Sequence, residues 1–212
     1  MKASFAQQVK RHGKKLVATV AIGAVALLAG CSNVNAAATV GGDVITTTQV
    51  QNSVASILKL RATVDTSSLT LLKGADIARN VLNLHISELL LKQAAAAKNI
   101  TATPEDIAKY KAALVQQIGG VNNLNSGLIQ NSIAAEDFDT YATFMVLGGK
   151  ITAALNTKTD TTSAQNYLTS FFTKVKITVN PRYGTWNQAK SQVEAGDATS
   201  GAVAAPTATP SK

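Results

Sequence analysis

Thr39-Val40-Gly41-Gly42-Asp43-Val44-Ile45 reads as a strand, a tight turn and a second short strand, since paired glycines accept the positive φ that hairpin turns require. Near the other end of the chain, Val175-Lys176-Ile177-Thr178-Val179 alternates apolar and polar residues as a half-buried strand does, and Asn180-Pro181 stops it. The only convincing partners for this late strand lie in the early segment. The two ends of the domain are therefore expected to pair, Thr39 to Ile45 with Val175 to Val179, around whatever lies between them.

What lies between them is helical. Thr46-Thr47-Thr48 offers an N-cap, and Val50, Val54, Ile57 and Leu58 then recur at helical spacing, predicting a packing helix of roughly 15 residues that ends near Arg61. The longest pattern runs from Ala75 to Asn99, with Ile77, Val81, Leu84 and Leu91 on one stripe and Ala78, Leu82 and Leu89 on its neighbour. A stripe that wide predicts a central helix with partners on several sides. Thr103-Pro104-Glu105-Asp106 supplies an N-cap, a proline in the first turn and acids at the positive end of the helix dipole, so a third helix is expected over Pro104 to Ile118, stopped by Gly119-Gly120. A short helix with loops is expected within Val121 to Asn131, and another helix from Ala135 to Leu155, in which Gly148-Gly149 could kink the axis or admit a neighbour. Thr161 or Thr162 should cap a last helix carrying Tyr167, Leu168, Phe171 and Phe172. The fold class is mainly α with a small antiparallel β-sheet, closed by N- and C-terminal strands.

Upstream of this domain the sequence is of a different kind. A basic flank, Lys10 to Lys15, precedes the apolar run Leu16 to Leu28 and then Leu28-Ala29-Gly30-Cys31. The run is short for a permanent span, and small residues before the cysteine suit a peptidase with a narrow cleft. Residues 1–30 thus read as a lipoprotein signal peptide, with residues 31–38 as a tether, residues 39–186 as the folded domain and residues 187–212 as a low-complexity, disordered tail. Of 20 Lys and Arg residues in the 212-residue chain, Lys2, Lys10, Arg11, Lys14 and Lys15 fall in the leader, where no acid stands. The remainder nearly balances the 12 acids, which leaves no basic stripe and argues against nucleic acid as a partner.

Few residues offer chemistry. One cysteine and two histidines exclude an intramolecular disulfide framework and a His-rich metal site. His85 with Glu88 at i+3 could form an acid–base unit, but an imidazole at the edge of an apolar helix face is read as a packing residue. Glu136, Asp137 and Asp139 belong at a helix N-terminus for dipole reasons, so no metal is assigned to them. There is no Gly-x-Ser-x-Gly elbow, no phosphate-binding glycine loop and no zinc spacing. No catalytic residue is assigned and no enzyme activity is expected. The aromatic series Phe138, Tyr141 and Phe144, with Leu82 and Leu89 on the long helix, gives the candidate polypeptide-binding residues, each of which has core packing as its competing role.

The order of elements, with Val40-Gly41-Gly42-Asp43-Val44-Ile45, then Val81 to Leu90, Ala94 to Ala97 and Asn99 to Ile107, resembles the SurA/PrsA-type N-terminal chaperone domain family over about Ala38 to Trp186. Val175 to Trp186 resembles the end of the small lipoproteins of this kind found in actinobacteria, and Leu28-Ala29-Gly30-Cys31 resembles the bacterial lipobox. The resemblance implies an ATP-independent, chaperone-like binder of unfolded or newly exported polypeptides. It also implies a covalent diacylglycerol lipid at Cys31, no other cofactor, and a lipid anchor on the extracytoplasmic face of the cell membrane. Larger relatives carry a parvulin isomerase domain between the helices and the closing strand. Asn156 to Lys174 is too short to hold one, so prolyl-isomerase residues have no positions here. An adaptor that holds one folded partner is the alternative reading.

Overall fold

A computed structural model describes residues 35–196. The basic flank, the apolar run, Cys31 and residues 197–212 lie outside the described residues. Strand β1 (Ala36–Val40) sits at the centre of a three-stranded antiparallel sheet, flanked by β2 (Asp43–Thr46) and β3 (Ile177–Val179). The register pairs Ala38 with Val179, Thr39 with Thr178 and Val40 with Ile177, which joins the two ends of the domain as expected. The glycine turn between β1 and β2 is held from two sides. Gly41, at φ 61°, donates its N–H to Lys176 O at 2.9 Å, and the Gln93 amide donates to Val40 O and Asp43 Oδ2.

Six helices fill the interval: α1 (Thr47–Arg61), α2 (Ala75–Ala96), α3 (Pro104–Gln117), α4 (Leu124–Gln130), α5 (Phe138–Leu155) and α6 (Ser163–Phe172). Thr46 caps α1 by accepting from Gln49 N. Thr103 and Asp106 form a reciprocal capping box at the start of α3, the arrangement that satisfies two of the helix's otherwise unpaired donors. α2 is the axis of the molecule. It buries Ile77, Val81, Leu82, Ile86, Leu90 and Leu91 and packs on β1, α1, α5 and α6, so apolar burial on several faces holds it in place, at about 1.5–3 kcal/mol for each large side chain fully removed from water. The Gly148-Gly149 pair does not interrupt α5; Gly148 instead lies against Leu91, whose Cδ1 would meet an added β-carbon at 3.8 Å.

Four expectations need correction. Leu58, placed on the packing stripe of α1, is 50% exposed, because the face that meets α2 is defined by Val50, Ser53 and Ile57. The cap of α6 comes from Asp160 rather than from a threonine: its carboxylate accepts from Thr162 N and Ser163 N. The tether is shorter than residues 31–38, since Ala37 and Ala38 are buried within β1; alanines are small enough to pass beneath α2, and this is a packing role. The tail is shorter too. Thr185–Asn187 (β4) and Gln192–Glu194 (β5) form an antiparallel hairpin whose Val193 is buried and whose Val193 N–H donates to Asn83 Oδ1 at 2.6 Å.

Between α5 and β3 the chain holds α6 and short connections, with no room for a further domain. No helix among the described residues is long and apolar enough to cross a membrane.

Candidate polypeptide-binding groove

The chain-binding candidates fall into two groups. Leu82 is fully buried in the main core, and Leu89 is half-buried and packed against that same core. Phe138 is 7% exposed and anchors a third cluster with Leu128 and Ile133. Leu82 and Phe138 thus serve packing, because their place in the 3.6-residue period turns them toward α1 and α4 rather than outward. Tyr141 and Phe144, one turn apart on α5, are half-buried, and these two line a real surface feature.

That feature is a groove between α2 and α5. A cavity of about 230 Å³ is lined by Asn80, Asn83, Leu84 and Ser87 from α2, Asn131 and Ile133 from the connection before α5, and Tyr141 and Phe144. A smaller cavity of about 80 Å³ continues beyond Asn131, Ile133 and Tyr141 toward Leu114 and Ile118 of α3 and Leu124 and Leu128 of α4. No ionised side chain lines either one. Tyr110 of α3 stands 6.4 Å from Tyr141, ring to ring, and burial first, with Tyr141 second, pushes the Tyr110 hydroxyl up to about 12. The Tyr110 hydroxyl, beside the cavity-lining Tyr141, is therefore held in its neutral form. Sequence reasoning found Tyr141 and Phe144 and missed Leu84, Ile133, Asn80, Asn83 and Asn131; of these only Asn131 belongs to the asparagine-rich stretch Val121 to Asn131, and no sequence signal marks the others.

The amides at the rim are anchored on one side. Asn80 Nδ2 donates to Asn131 O and Ser132 O, and Asn83 Oδ1 is taken by Val193 N–H. The other half of each amide makes no hydrogen bond among the described residues, which leaves one acceptor and one donor beside an apolar floor. Such a surface suits the backbone of an extended chain and the side chain it carries.

The acidic triplet is dispersed by the fold. Glu136 accepts from Ser56 Oγ at 2.6 Å, and Asp139 pairs with Lys111. Asp137 is buried opposite His85, with Oδ1 3.2 Å from His85 Nε2 but without hydrogen-bond alignment, while its Oδ2 has no partner. His85 Nδ1 faces the Gln49 amide at 3.2 Å. Glu88, the partner suggested by helical spacing, instead pairs with Lys92. His85 therefore sits where α1, α2 and the segment leading into α5 meet, enclosed by protein and lining neither of the two groove cavities. Among the described residues no group of three or more His, Cys, Asp or Glu side chains comes together in a way that could hold a metal ion.

The comparisons with known proteins bear on this geometry. A family model described as the SurA-like N-terminal domain matches residues 5–138, which takes in the hairpin, α1 to α4 and the connection to α5, and ends where α5 begins. No curated protein and no solved structure matches the chain.

Proposed function

The chain belongs to the family of SurA-like N-terminal domains, and from that premise we propose that it is a membrane-anchored extracytoplasmic lipoprotein that binds unfolded or newly exported polypeptides without ATP. The observation that carries the reading is the uncharged groove of Leu84, Ile133, Tyr141 and Phe144 with amides at its rim. At about 230 Å³ it falls below the ~300–1,000 Å³ of small-molecule pockets and fits one or two side chains of a passing chain. Each apolar side chain seated there contributes about 1.5–3 kcal/mol. Two of them supply about 3–6 kcal/mol before the cost of ordering the chain is subtracted, so the affinity is millimolar or weaker. Weak, sequence-tolerant contact of that kind releases a client without an energy source.

The anchor is supported by the basic flank, the apolar run and Leu28-Ala29-Gly30-Cys31, with a diacylglycerol thioether at Cys31 as the sole covalent group and a mature chain that begins there.

The test is suppression of aggregation by the purified mature protein with several unrelated unfolded clients. Phe144→Glu, which puts a charge on the apolar wall, and Ser87→Phe, which fills the groove while leaving that wall intact, should each lower suppression; Phe144 also packs against Leu91, Leu147 and Ile151, so its variant should melt lower, whereas Ser87→Phe should act at unchanged thermal stability. Suppression by neither wild type nor variants, together with recovery of one stable folded partner from cells, would favour the adaptor reading.

A further inference from the structure

Alone among the six helices, α3 fully buries none of its residues. Its inner face is the stripe Ile107, Tyr110, Leu114 and Ile118, which recurs at helical spacing and is only half-buried. The two ends of the helix are held unequally. At the first turn, Lys150 of α5 pairs with Asp106 and donates to Thr101 O, and Ile100 and Ala102 just before it pack on the cluster of Leu91, Ala94 and Ile151. Farther along, Lys111 pairs with the exposed Asp139, and an ion pair so open to water contributes little. Beyond Ile118 come Gly119 at φ 85° and Gly120 at φ 105°, and then Val121, which is 68% exposed.

The loosely held half covers something. Leu114 and Ile118 form one wall of the cavity of about 80 Å³, opposite Leu124, Leu128 and Phe138. That volume lies far below the ~300–1,000 Å³ of ligand pockets, so the cavity as it stands admits no chain. It nevertheless shares Asn131, Ile133 and Tyr141 with the larger cavity of the groove, and Leu114 packs on the cluster in which Leu128 and Phe138 are buried. A helix anchored at its first turn and followed by two glycines has its freedom at the C-terminal end, because glycine absorbs changes of φ that other residues resist.

We propose that α3 is a lid over a second subsite for the client chain: its C-terminal half, with Leu114 and Ile118, lifts off α5 about the anchored first turn, and the smaller cavity joins the groove as one apolar track. The inference rests on the reading that the groove takes unfolded polypeptide, and extends it to the length of chain bound. A ligand favours one of two states only through contacts that the other state lacks. Here those contacts are Leu128 and Phe138, covered in the closed state, together with the inner faces of Leu114 and Ile118. A client offering one apolar side chain seats in the groove and leaves α3 closed. A client with apolar residues spaced along an extended segment holds it open.

The experiment uses the purified full mature chain and a short fluorescein-labelled peptide of alternating Leu and Ser. Binding is read by anisotropy and opening by amide exchange. With the peptide bound, exchange across Leu114 to Ile118 should rise at least about threefold, while the first turn of α3 and the whole of α2 exchange as before. Lys111→Gln removes a pin that lines neither cavity. It should loosen the same residues and tighten peptide binding at least about twofold. Binding with unchanged or stronger protection across Leu114 to Ile118 would overturn the lid and leave the groove reading standing, as would a Lys111→Gln variant that exchanges faster and binds no better. No binding by either protein would overturn the groove reading and the lid with it.

Discussion

α2 and α3 are both well-formed helices, and they are held by opposite means. α2 starts at Gly74 with no side-chain cap, yet ten of its residues are buried. α3 starts with a capping box, a proline in its first turn and two acids there, yet none of its residues is buried. Tertiary burial fixes the first and local chemistry the second. The same division separates the frame of the domain, in which α2 packs on the sheet, from the rim of the groove, where α3 lies on α5 through Tyr110 with Tyr141 and Lys111 with Asp139. Local opening should accordingly cost little at α3 and approach the global unfolding free energy at α2.

The harshest way to break this comparison is to remove the sheet's closing strand. Ending the chain at Lys174 deletes β3 and the β4–β5 hairpin, exposing β1 along one edge and stripping Val193 from Asn83. Hydrogen exchange should then show protection lost throughout Thr39 to Ile45 and along α2. Protection unchanged in those segments would mean that α2 does not depend on the sheet.

A smaller change sharpens it. Ile86 on α2 is fully buried, whereas Leu114 on α3 is half-buried. Ile86→Ala should cost about 2–5 kcal/mol, the range for a large side chain deleted from a packed core. Leu114→Ala should cost less than half as much, because water already reaches its site. Chemical denaturation of the two variants would check the ratio, and equal losses would erase the distinction between frame and rim.

The frame was more legible in the sequence than the rim. Alternation in Val175 to Val179 and the glycine turn at Gly41 were enough to foresee that the chain's ends meet, because a strand buried on one face must show period two. The β4–β5 hairpin was hidden because each strand has three residues and only Val193 is buried well. One apolar side chain makes no period. Leu82 and Tyr141 were nominated together as chain-binding residues, and only the packed structure could part them: Leu82 turns into the core, Tyr141 lines the groove. His85 reads in the sequence as a packing residue with Glu88 as its neighbour, yet its acidic neighbour is Asp137, far along the chain. Helical spacing describes contacts within a helix and is silent about contacts made by folding.

At the start of α3 the expected effect is smaller again. Thr103 Oγ1 accepts from Asp106 N while the Asp106 carboxylate accepts from Thr103 N–H. Thr103→Ala removes half of that exchange and should cost about 1 kcal/mol, the usual loss for a removed N-cap. If α3 is held locally, the loss will appear as faster amide exchange in its first turn with α2 unaffected. A uniform rise in exchange across both helices would show that the rim and the frame open together.

The smallest expected effect is in acid, and it tests the same helix end. Asp106 is held down at about 2, chiefly by the Lys150 ammonium and then by Thr103; Lys150 also donates to Thr101 O, so one side chain of α5 pins the connection before α3. A carboxyl whose folded pKa lies below its unfolded value, ordinarily about 4, stabilises the fold above that value and loses the contribution as pH falls through the folded pKa. The start of α3 should therefore stay intact down to about pH 4 and loosen between about pH 4 and 2. Lys150→Met removes the largest cause while keeping the Thr103 bonds, so the Asp106 carboxyl should titrate higher and the loosening should begin at a higher pH. Asp160 and Glu194 are also held at about 2 by their own partners, and a global melt in acid would blend all three. Residue-resolved carboxyl titration by NMR separates them: only the Asp106 curve should move in Lys150→Met, and an unmoved curve would show that the capping box alone, without α5, sets the charge at the head of α3.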